Sequence, residues 1–202
     1  MVKNNYPLPL ITNLVDSMGN KKLFTKMDSR WGYNNVYIKE GDEWKMAFTT
    51  HIRSFELVVM FFGMMNLPAM FQRIINEIIR DLINEEKMAV FVDDVLVGTD
   101  GEEGHDEIIE EVLKRLKENN LYVKPEKCLW KTNKINFLGV VMGQGKIEIE
   151  EDKVAGVLNW PTPKMVRDIR KLLGLTNYYR YFIKNFIALA KPLNMLTRKD
   201  EK

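Results

Sequence analysis

The clearest alternation of apolar and polar positions is KLFTKMD, residues 22–28, which predicts a strand ending on Asp28. Upstream, two prolines in YPLPL lead into LITNLVDSM, a short amphipathic helix that Gly19 can cap. Downstream, NNVYIKEGDEWKMAFTT predicts a hairpin turned at Glu40 to Asp42, and FELVVMFF a further buried strand. Pro68 then opens a long helix in which Phe71, Ile74, Ile75, Ile78, Ile79 and Leu82 recur at helical spacing. The same period returns in HDEIIEEVLKRLKENN through Ile108, Ile109, Val112, Leu113 and Leu116. LYVKPEKC and INFLGVVMGQGKIEI read as short strands with a glycine-containing turn, and the last fifty or so residues are helical again, hinged at WPTP. Strands interleave irregularly with helices, without a regular βαβ alternation, so the expected class is α+β.

One apolar run breaks its own pattern. AVFVDDVLVG, Ala89 to Gly98, reads as buried strand but carries two adjacent aspartates, and burying even one unpaired carboxylate is costly. Successive strand side chains point to opposite faces, so Asp93 and Asp94 share one only if the chain turns between the flanking runs. A hairpin with its tip at the aspartates follows. Tight hairpin turns favour Asn-Gly, Asp-Gly or Gly-X, and Asp-Asp followed by Val fits them poorly. Two readings stand: a solvated turn, or a carboxylate pair neutralised by a bound divalent cation.

Composition narrows the setting. With 202 residues, 46% hydrophobic and 29% charged, the chain has the make-up of a globular protein with a sizeable core. Its one cysteine, Cys128, excludes an internal disulfide and suits a reducing compartment. The N-terminus has no apolar signal core, and the greasiest stretch, Phe55 to Phe71, is interrupted by Glu56, Gly63, Asn66 and Pro68. An intracellular location, cytoplasmic or nuclear, is therefore expected. Net charge is only +2, but its distribution is uneven: Asn76 to Arg115 holds thirteen acidic residues against four basic, and Lys164 to Lys202 ten basic against three acidic. The C-terminal segment has the charge to follow a phosphate backbone, or to form a solvated helix face.

A third carboxylate, Asp28, ends a strand that can lie beside the aspartate hairpin. Three such groups can hold two divalent ions, the arrangement that activates an attacking oxygen and stabilises a leaving one in phosphoryl transfer. An unrelated two-metal phosphohydrolase needs further ligands, and the two histidines, His51 and His105, show no paired spacing. The words around the aspartates are more specific. FTKMDSRWGY, VVMFFGMMNLPAMFQ, FVDD, LYVKPEKC and NFLG, in this order and spacing, closely resemble the reverse transcriptases of Ty3/gypsy-type long-terminal-repeat retrotransposons. NWPTPKMVRDIRKLLGLTNYYRYFIKNF is similar to the segment that follows the polymerase palm in these elements, so the resemblance runs from about Lys3 to Thr197.

The resemblance implies a polymerase palm with partial fingers over residues 1–149 and a small helical thumb-like segment over 150–202. It makes Asp28, Asp93 and Asp94 the catalytic carboxylates that bind two ions of Mg²⁺ or Mn²⁺. Tyr33 matches the aromatic beneath the nucleotide sugar, whose ring excludes a ribose 2′-hydroxyl; the alternative is a core tyrosine. Phe62 and Gly63 match a surface that packs against the incoming nucleotide. Gln72 is left with a structural role at most. Lys127 falls where such polymerases carry a lysine near the triphosphate, a proton donor to departing pyrophosphate, or else is simply exposed. Phe137, Leu138 and Gly139 resemble the turn that grips the primer terminus. Arg180 and Lys184 would meet phosphates. The implied partners are an RNA or DNA template with its primer and deoxynucleoside triphosphates.

The sequence departs from the family pattern in three places. The usual Tyr-X-Asp-Asp is Phe91-Val92-Asp93-Asp94, which loses a phenolic hydroxyl and keeps the carboxylates. The turn near Arg53, THIRSFE, lacks the family glycine. Fingers residues that precede YPLP in the family are expected to be missing, as are ribonuclease H, protease and integrase. The sequence therefore carries two expectations: an RNA-directed DNA polymerase core fragment, or a non-catalytic relic that keeps the palm fold and weak nucleic-acid binding.

Overall fold

The computed structural model describes residues 4–30 and 32–198. Helix α1, Ile11–Met18, buries Val15 and Met18 and ends at a Gly19 in right-handed conformation, φ −61°, so the glycine is not the left-handed cap its position suggests. Strand β1, Leu23–Arg30, follows, and it buries Leu23, Thr25 and Met27 on one face and Phe24 on the other. A short 3₁₀ turn at Gly32–Asn35 carries Tyr33 into the core. Gly32 is required there because a Cβ would meet the Phe71 ring at 2.6 Å.

Between this turn and the first long helix, the chain departs from the pattern its sequence suggests. Glu40 to Asp42 form a turn closed by the Asp42 N–H on the Lys39 carbonyl. The hairpin itself lies further on, where β2, Phe48–Thr49, pairs with β3, Ser54–Phe55. FELVVMFF is not a buried strand: beyond β3 it makes one isolated bridge, Tyr37 to Val59, flanked by Ile38 N–H to Val58 O and Met60 N–H to Val36 O. Of its residues only Met60 is buried. An apolar run becomes a core strand only when a neighbour pairs along its length and one face is covered, and beyond β3 this run has a single bridge and one buried residue.

Helix α2, Leu67–Ile78, opens with Pro68 in its first turn, where the missing N–H costs nothing. At Ile79 the backbone leaves helical geometry (φ −123°, ψ 25°) and α3, Arg80–Asn84, resumes. The apolar stripe nevertheless continues across the break through Phe71, Ile75, Ile79 and Leu82. Strands β4, Met88–Phe91, and β5, Asp94–Thr99, form the aspartate hairpin. Helix α4, His105–Glu118, then buries His105, Ile109, Val112 and Leu116. Its Arg115 donates to both oxygens of Asp81, at 2.5 and 2.9 Å, and to the Ile78 carbonyl at 3.3 Å, which fastens α4 to the α2–α3 junction.

After α4 come β6, Tyr122–Val123, and β7, Leu129–Thr132. Between them the turn Pro125–Lys127 leads to buried Cys128, whose thiol donates to the Lys124 carbonyl. The main sheet runs β4-β5-β1-β6, with β7 also paired to β1. Strand β1 lies at its centre, antiparallel to β5 along one edge, while β7 and β6 share the other. Against this sheet, α2 and α4 bury Phe71, Ile75, Val112 and Leu116 over Met88, Val90, Val95 and Val97. Strands β8, Lys134–Phe137, β9, Val140–Gly143, and β10, Lys146–Ile149, form a meander.

The chain divides into two compact units: one ends at Phe137 and takes in Met142–Lys146, the other comprises Leu138–Val141 and the chain from Ile147 onward. The second unit is built on α5, Glu151–Leu158, α6, Val166–Tyr178, and α7, Phe186–Met195, and buries Ile169, Tyr179 and Ala190. Mixed helix and sheet in this arrangement is the α+β class expected. Among the described residues no helix is long and apolar enough to cross a membrane.

Phe71 is fully buried between the Gly32 turn and the sheet. Phe71→Ala should therefore lower unfolding stability by about 3–5 kcal/mol. Urea denaturation followed by circular dichroism measures this; a loss below about 1 kcal/mol would mean that the site collapses around the deletion.

Candidate active site

The register of β1 against β5 decides where the carboxylates meet. Leu23 pairs with Thr99, and five steps along the ladder bring Asp28 opposite Asp94. Phe91 pairs with Asp94 across the β4–β5 hairpin, so its two-residue turn is Val92-Asp93. The tip thus falls one residue earlier than the sequence suggests, with Asp93 in the turn and Asp94 already on the strand. All three carboxyl-bearing residues lie at one end of the sheet, and all are partly exposed.

Their mutual repulsion registers on Asp93. Burial raises its pKa above the usual carboxylate range, donation from the Tyr33 hydroxyl opposes the rise, and the charges of Asp28 and then Asp94 add to it. Ser29 contributes a long hydrogen bond, Oγ to Oδ1 at 3.5 Å. Asp94 is countered by Lys26, two residues before Asp28 on the same face of β1, with Nζ 3.0 Å from Oδ1. Hard oxygen donors of this kind suit Mg²⁺ or Mn²⁺. Among the described residues, however, no three His, Cys, Asp or Glu side chains stand ready as a metal cage. A cation at Asp94 would have to displace Lys26.

Tyr33 sits beside this group with its ring edge-on to Phe62 (centroids 5.0 Å apart) and to Phe71 (5.1 Å). Burial, then the charge of Asp93 and the hydrogen bond to it, push the phenol up to about 12. The ring is a core element, as the plain reading has it, yet its hydroxyl faces the carboxylates. Phe62 is 74% exposed, and Gly63 has φ +102° with open space where a Cβ would stand. An exposed aromatic and a bare stretch of backbone thus flank the carboxylate end of the sheet.

A family model for reverse transcriptase (RNA-dependent DNA polymerase) matches residues 1–142. The chain belongs to the reverse transcriptase family. It is 35% identical over 197 residues to the retrovirus-related Pol polyprotein from transposon opus of Drosophila melanogaster, a match covering 98% of this chain and 20% of that protein. It is 32% identical over 199 residues to the corresponding polyprotein from transposon gypsy of the same organism, covering 98% and 19%. With the transposon Tf2-3 polyprotein of Schizosaccharomyces pombe it shares 34% over 197 residues, covering 98% and 15%. The chain thus spans a fifth or less of the length of these Ty3/gypsy-type relatives. Its fold matches the foamy viral protease-reverse transcriptase dRH in complex with ds DNA, at TM-score 0.89 and 23% identity over 100% of this chain and 35% of that one. The foamy viral enzyme in complex with RNA/DNA hybrid matches at TM-score 0.83 and 23% identity, over 100% and 27%.

The remaining family-implied residues sit on other elements of the chain. Lys127 is exposed on the turn after β6, three residues beyond Lys124, whose N–H donates to the Asp28 carbonyl. Phe137 is fully buried at the end of β8. Leu138 and Gly139 form the next turn with φ of +50° and +81°. The Leu138 carbonyl accepts from the Tyr178 hydroxyl, and a Cβ on Gly139 would meet the Tyr179 hydroxyl at 2.9 Å. Arg180 and Lys184 are both exposed, and the Arg180 guanidinium lies over the Tyr181 ring, 4.9 Å from its centroid. The last four residues of the basic C-terminal segment, Lys199 to Lys202, lie outside the described residues.

Gln72 does more than its sequence position suggests. It is fully buried on α2, and its Oε1 accepts from the Val92 N–H at 2.7 Å, while Nε2 donates to the Val90 carbonyl at 3.2 Å and to Asn76 Oδ1 at 2.9 Å. Asn76 in turn donates to the Tyr6 hydroxyl. Val92 is β-branched and has φ +54°, a strained conformation of order 1–3 kcal/mol. The amide clamps that strained turn from beneath. The available signal was an uncharged amide beside Phe71 in an otherwise apolar helical stripe. Gln72→Leu removes partners from two backbone groups of the hairpin, so a loss of about 2–4 kcal/mol is expected. Hydrogen exchange should locate it: faster exchange at Val92, with the α4 amides unchanged. Equal exchange at Val92 in both proteins would contradict the clamp.

Proposed function

We propose that this chain is the polymerase core of a Ty3/gypsy-type element, an RNA-directed DNA polymerase that extends a primer on an RNA or DNA template by two-metal nucleotidyl transfer. The observation that carries the reading is the cross-strand pairing of Asp28 with Asp94, with Asp93 in the adjoining turn, in a chain of the reverse transcriptase family. Structural neighbours solved with RNA/DNA hybrid and with double-stranded DNA support nucleic-acid partners. In this reading residues 1–149 are partial fingers and palm, and 150–202 the thumb-like segment.

Asp28, Asp93 and Asp94 would hold two ions of Mg²⁺ or Mn²⁺. When bound, such ions lower the pKa of the primer 3′-hydroxyl and offset charge on the leaving pyrophosphate. Lys26 exchanges its pairing with Asp94 for solvent. Tyr33, braced by Phe62 and Phe71, lies beneath the deoxyribose and leaves no room for a 2′-oxygen. Gly63 lets the backbone approach the base pair. Lys127 donates a proton to the departing pyrophosphate, Phe137, Leu138 and Gly139 shape the primer-terminus turn, and Arg180 and Lys184 meet backbone phosphates.

Template-directed deoxynucleotide incorporation with Mg²⁺ tests the reading. Asp28→Asn and Asp93→Asn should each lower the rate by more than about 100-fold, the loss of several kcal/mol of charge stabilisation. Tyr33→Ala should admit ribonucleotides while deoxynucleotide incorporation persists. Absent synthesis overturns the proposal and leaves a palm fold without the chemistry; synthesis that survives Asp93→Asn overturns the two-metal role of the carboxylates. Binding to a primer–template duplex should weaken steeply with salt, and removal of residues 164–202 should flatten that slope, as counterion release at phosphate contacts requires.

A further inference from the structure

His105 is the first residue of α4 and is fully buried, yet neither the carboxylate group nor the family motifs include it. Its ring lies between two strands. Nε2 is 2.9 Å from Thr25 Oγ1 on β1, and Nδ1 is 2.7 Å from Thr99 Oγ1 at the end of β5.

The surrounding bonds fix every proton in this bridge. Thr99 donates its hydroxyl hydrogen to the Gly101 carbonyl at 2.7 Å, so its oxygen must accept from the ring. Nδ1 therefore carries the hydrogen and Nε2 is bare. Thr25 donates to Nε2, and its oxygen accepts the Lys131 N–H at 3.1 Å. That N–H belongs to a bulge: Phe24 pairs with Thr132 and Lys26 with Leu129, so one β1 residue opposes two on β7, and Lys131 takes φ +49°. The chain of donors runs from the bulge through Thr25, His105 and Thr99 to Gly101, with each buried group satisfied.

The bridge answers a need that apolar packing leaves open. Residues Val95–Thr99 of β5 are all buried, so the strand has no exposed face whose polarity could set its register. Hydrophobic alternation can specify register only where one face is polar, and buried polar contacts can supply the missing specificity. We propose that His105, as the neutral Nδ1-protonated tautomer, is a positioning residue that pins β1 to β5 in the one register that sets Asp28 opposite Asp94.

A second ring proton would face the Thr25 hydroxyl, whose hydrogen would then have no acceptor. The charges acting on the ring are Asp106 on α4 and Lys131 on β7, themselves paired at 2.6 Å, while β1 and β5 present only the two hydroxyls. Burial holds the imidazole below its ordinary value of 6.5, an effect that Asp106 opposes and Lys131 reinforces. A group held neutral in this way contributes stability that is complete above the unfolded histidine pKa and is lost as pH falls through it toward the folded one.

The catalytic part of this inference rests on the polymerase reading; the register part does not, and the experiment separates them. Nitrogen-detected NMR of the full chain at pH 7.5 should show Nδ1 protonated and Nε2 bare; the opposite tautomer overturns the pin. Backbone amide exchange, corrected for intrinsic rate, should show protection at residues 26–28 and 94–96 falling tenfold or more in His105→Leu and in Thr99→Val, with the α2 core unchanged. Thr99→Val keeps the imidazole and serves if His105→Leu fails to fold. Wild type at pH 5.5 should show the same local loss, and His105→Leu no further pH dependence. Unchanged protection at Asp28 and Asp94 in the folded variant overturns the proposal. Where the polymerase reading holds, His105→Gln, which retains an acceptor and a donor, should recover part of the kcat that His105→Leu loses, with little change in KM. Strands that respond in a wild-type chain that incorporates no nucleotide would overturn the polymerase reading and leave the pin standing.

Discussion

The antiparallel pairing of β1 with β5 is the constraint on which this molecule turns. It places Asp28 opposite Asp94, gives the core its central strand, and leaves the other edge of β1 for β7 and β6. Cross-strand neighbours lie about 5 Å apart, so two carboxylates set opposite one another repel unless something positive stands between or beside them. The fold tolerates that repulsion because much of the ladder is apolar and closely packed, with Phe24, Met27, Val95, Leu96 and Val97 all buried.

The polar side chains around the acidic end form a graded set of partners rather than a closed cage. Lys26 pairs with Asp94, while Tyr33 and Ser29 are directed at Asp93. None of these is a strong, fully buried contact, and exposed or half-exposed ion pairs contribute little to stability. Such partners hold the carboxylates in place and can be displaced by a competing cation. Beneath them the arrangement is stiffer. Gln72 meets the hairpin with both ends of its amide, and Asn76 and Tyr6 extend the connection to the N-terminal segment.

Much of this was legible in the sequence because periodicity reports burial directly. KLFTKMD, the stripe from Phe71 to Leu82 and the face from Ile109 to Leu116 became β1, α2–α3 and α4. Segment 36–62 was misread because its apolar residues suggest a strand whether or not a sheet edge is available, and only the tertiary arrangement decides that. The positions of Asp28, Asp93 and Asp94 followed from motif spacing. The turn slipped by one residue because Val92 accepts a positive φ that its side chain disfavours. Gln72 and His105 were the harder cases. A buried polar residue leaves the same mark in a sequence as an exposed one, and its meaning appears only when each of its hydrogen-bond partners is known.

Cys128 turns the architecture into a measuring device. It is the sole thiol of the chain, 8% exposed, and donates its hydrogen to the Lys124 carbonyl next to the strand that carries Asp28. Burial raises its pKa, so little reactive thiolate is present while the fold is closed. Alkylation at this one sulfur therefore clocks the opening of the β1 edge, and mass spectrometry of the intact chain can follow that motion without any foreign label.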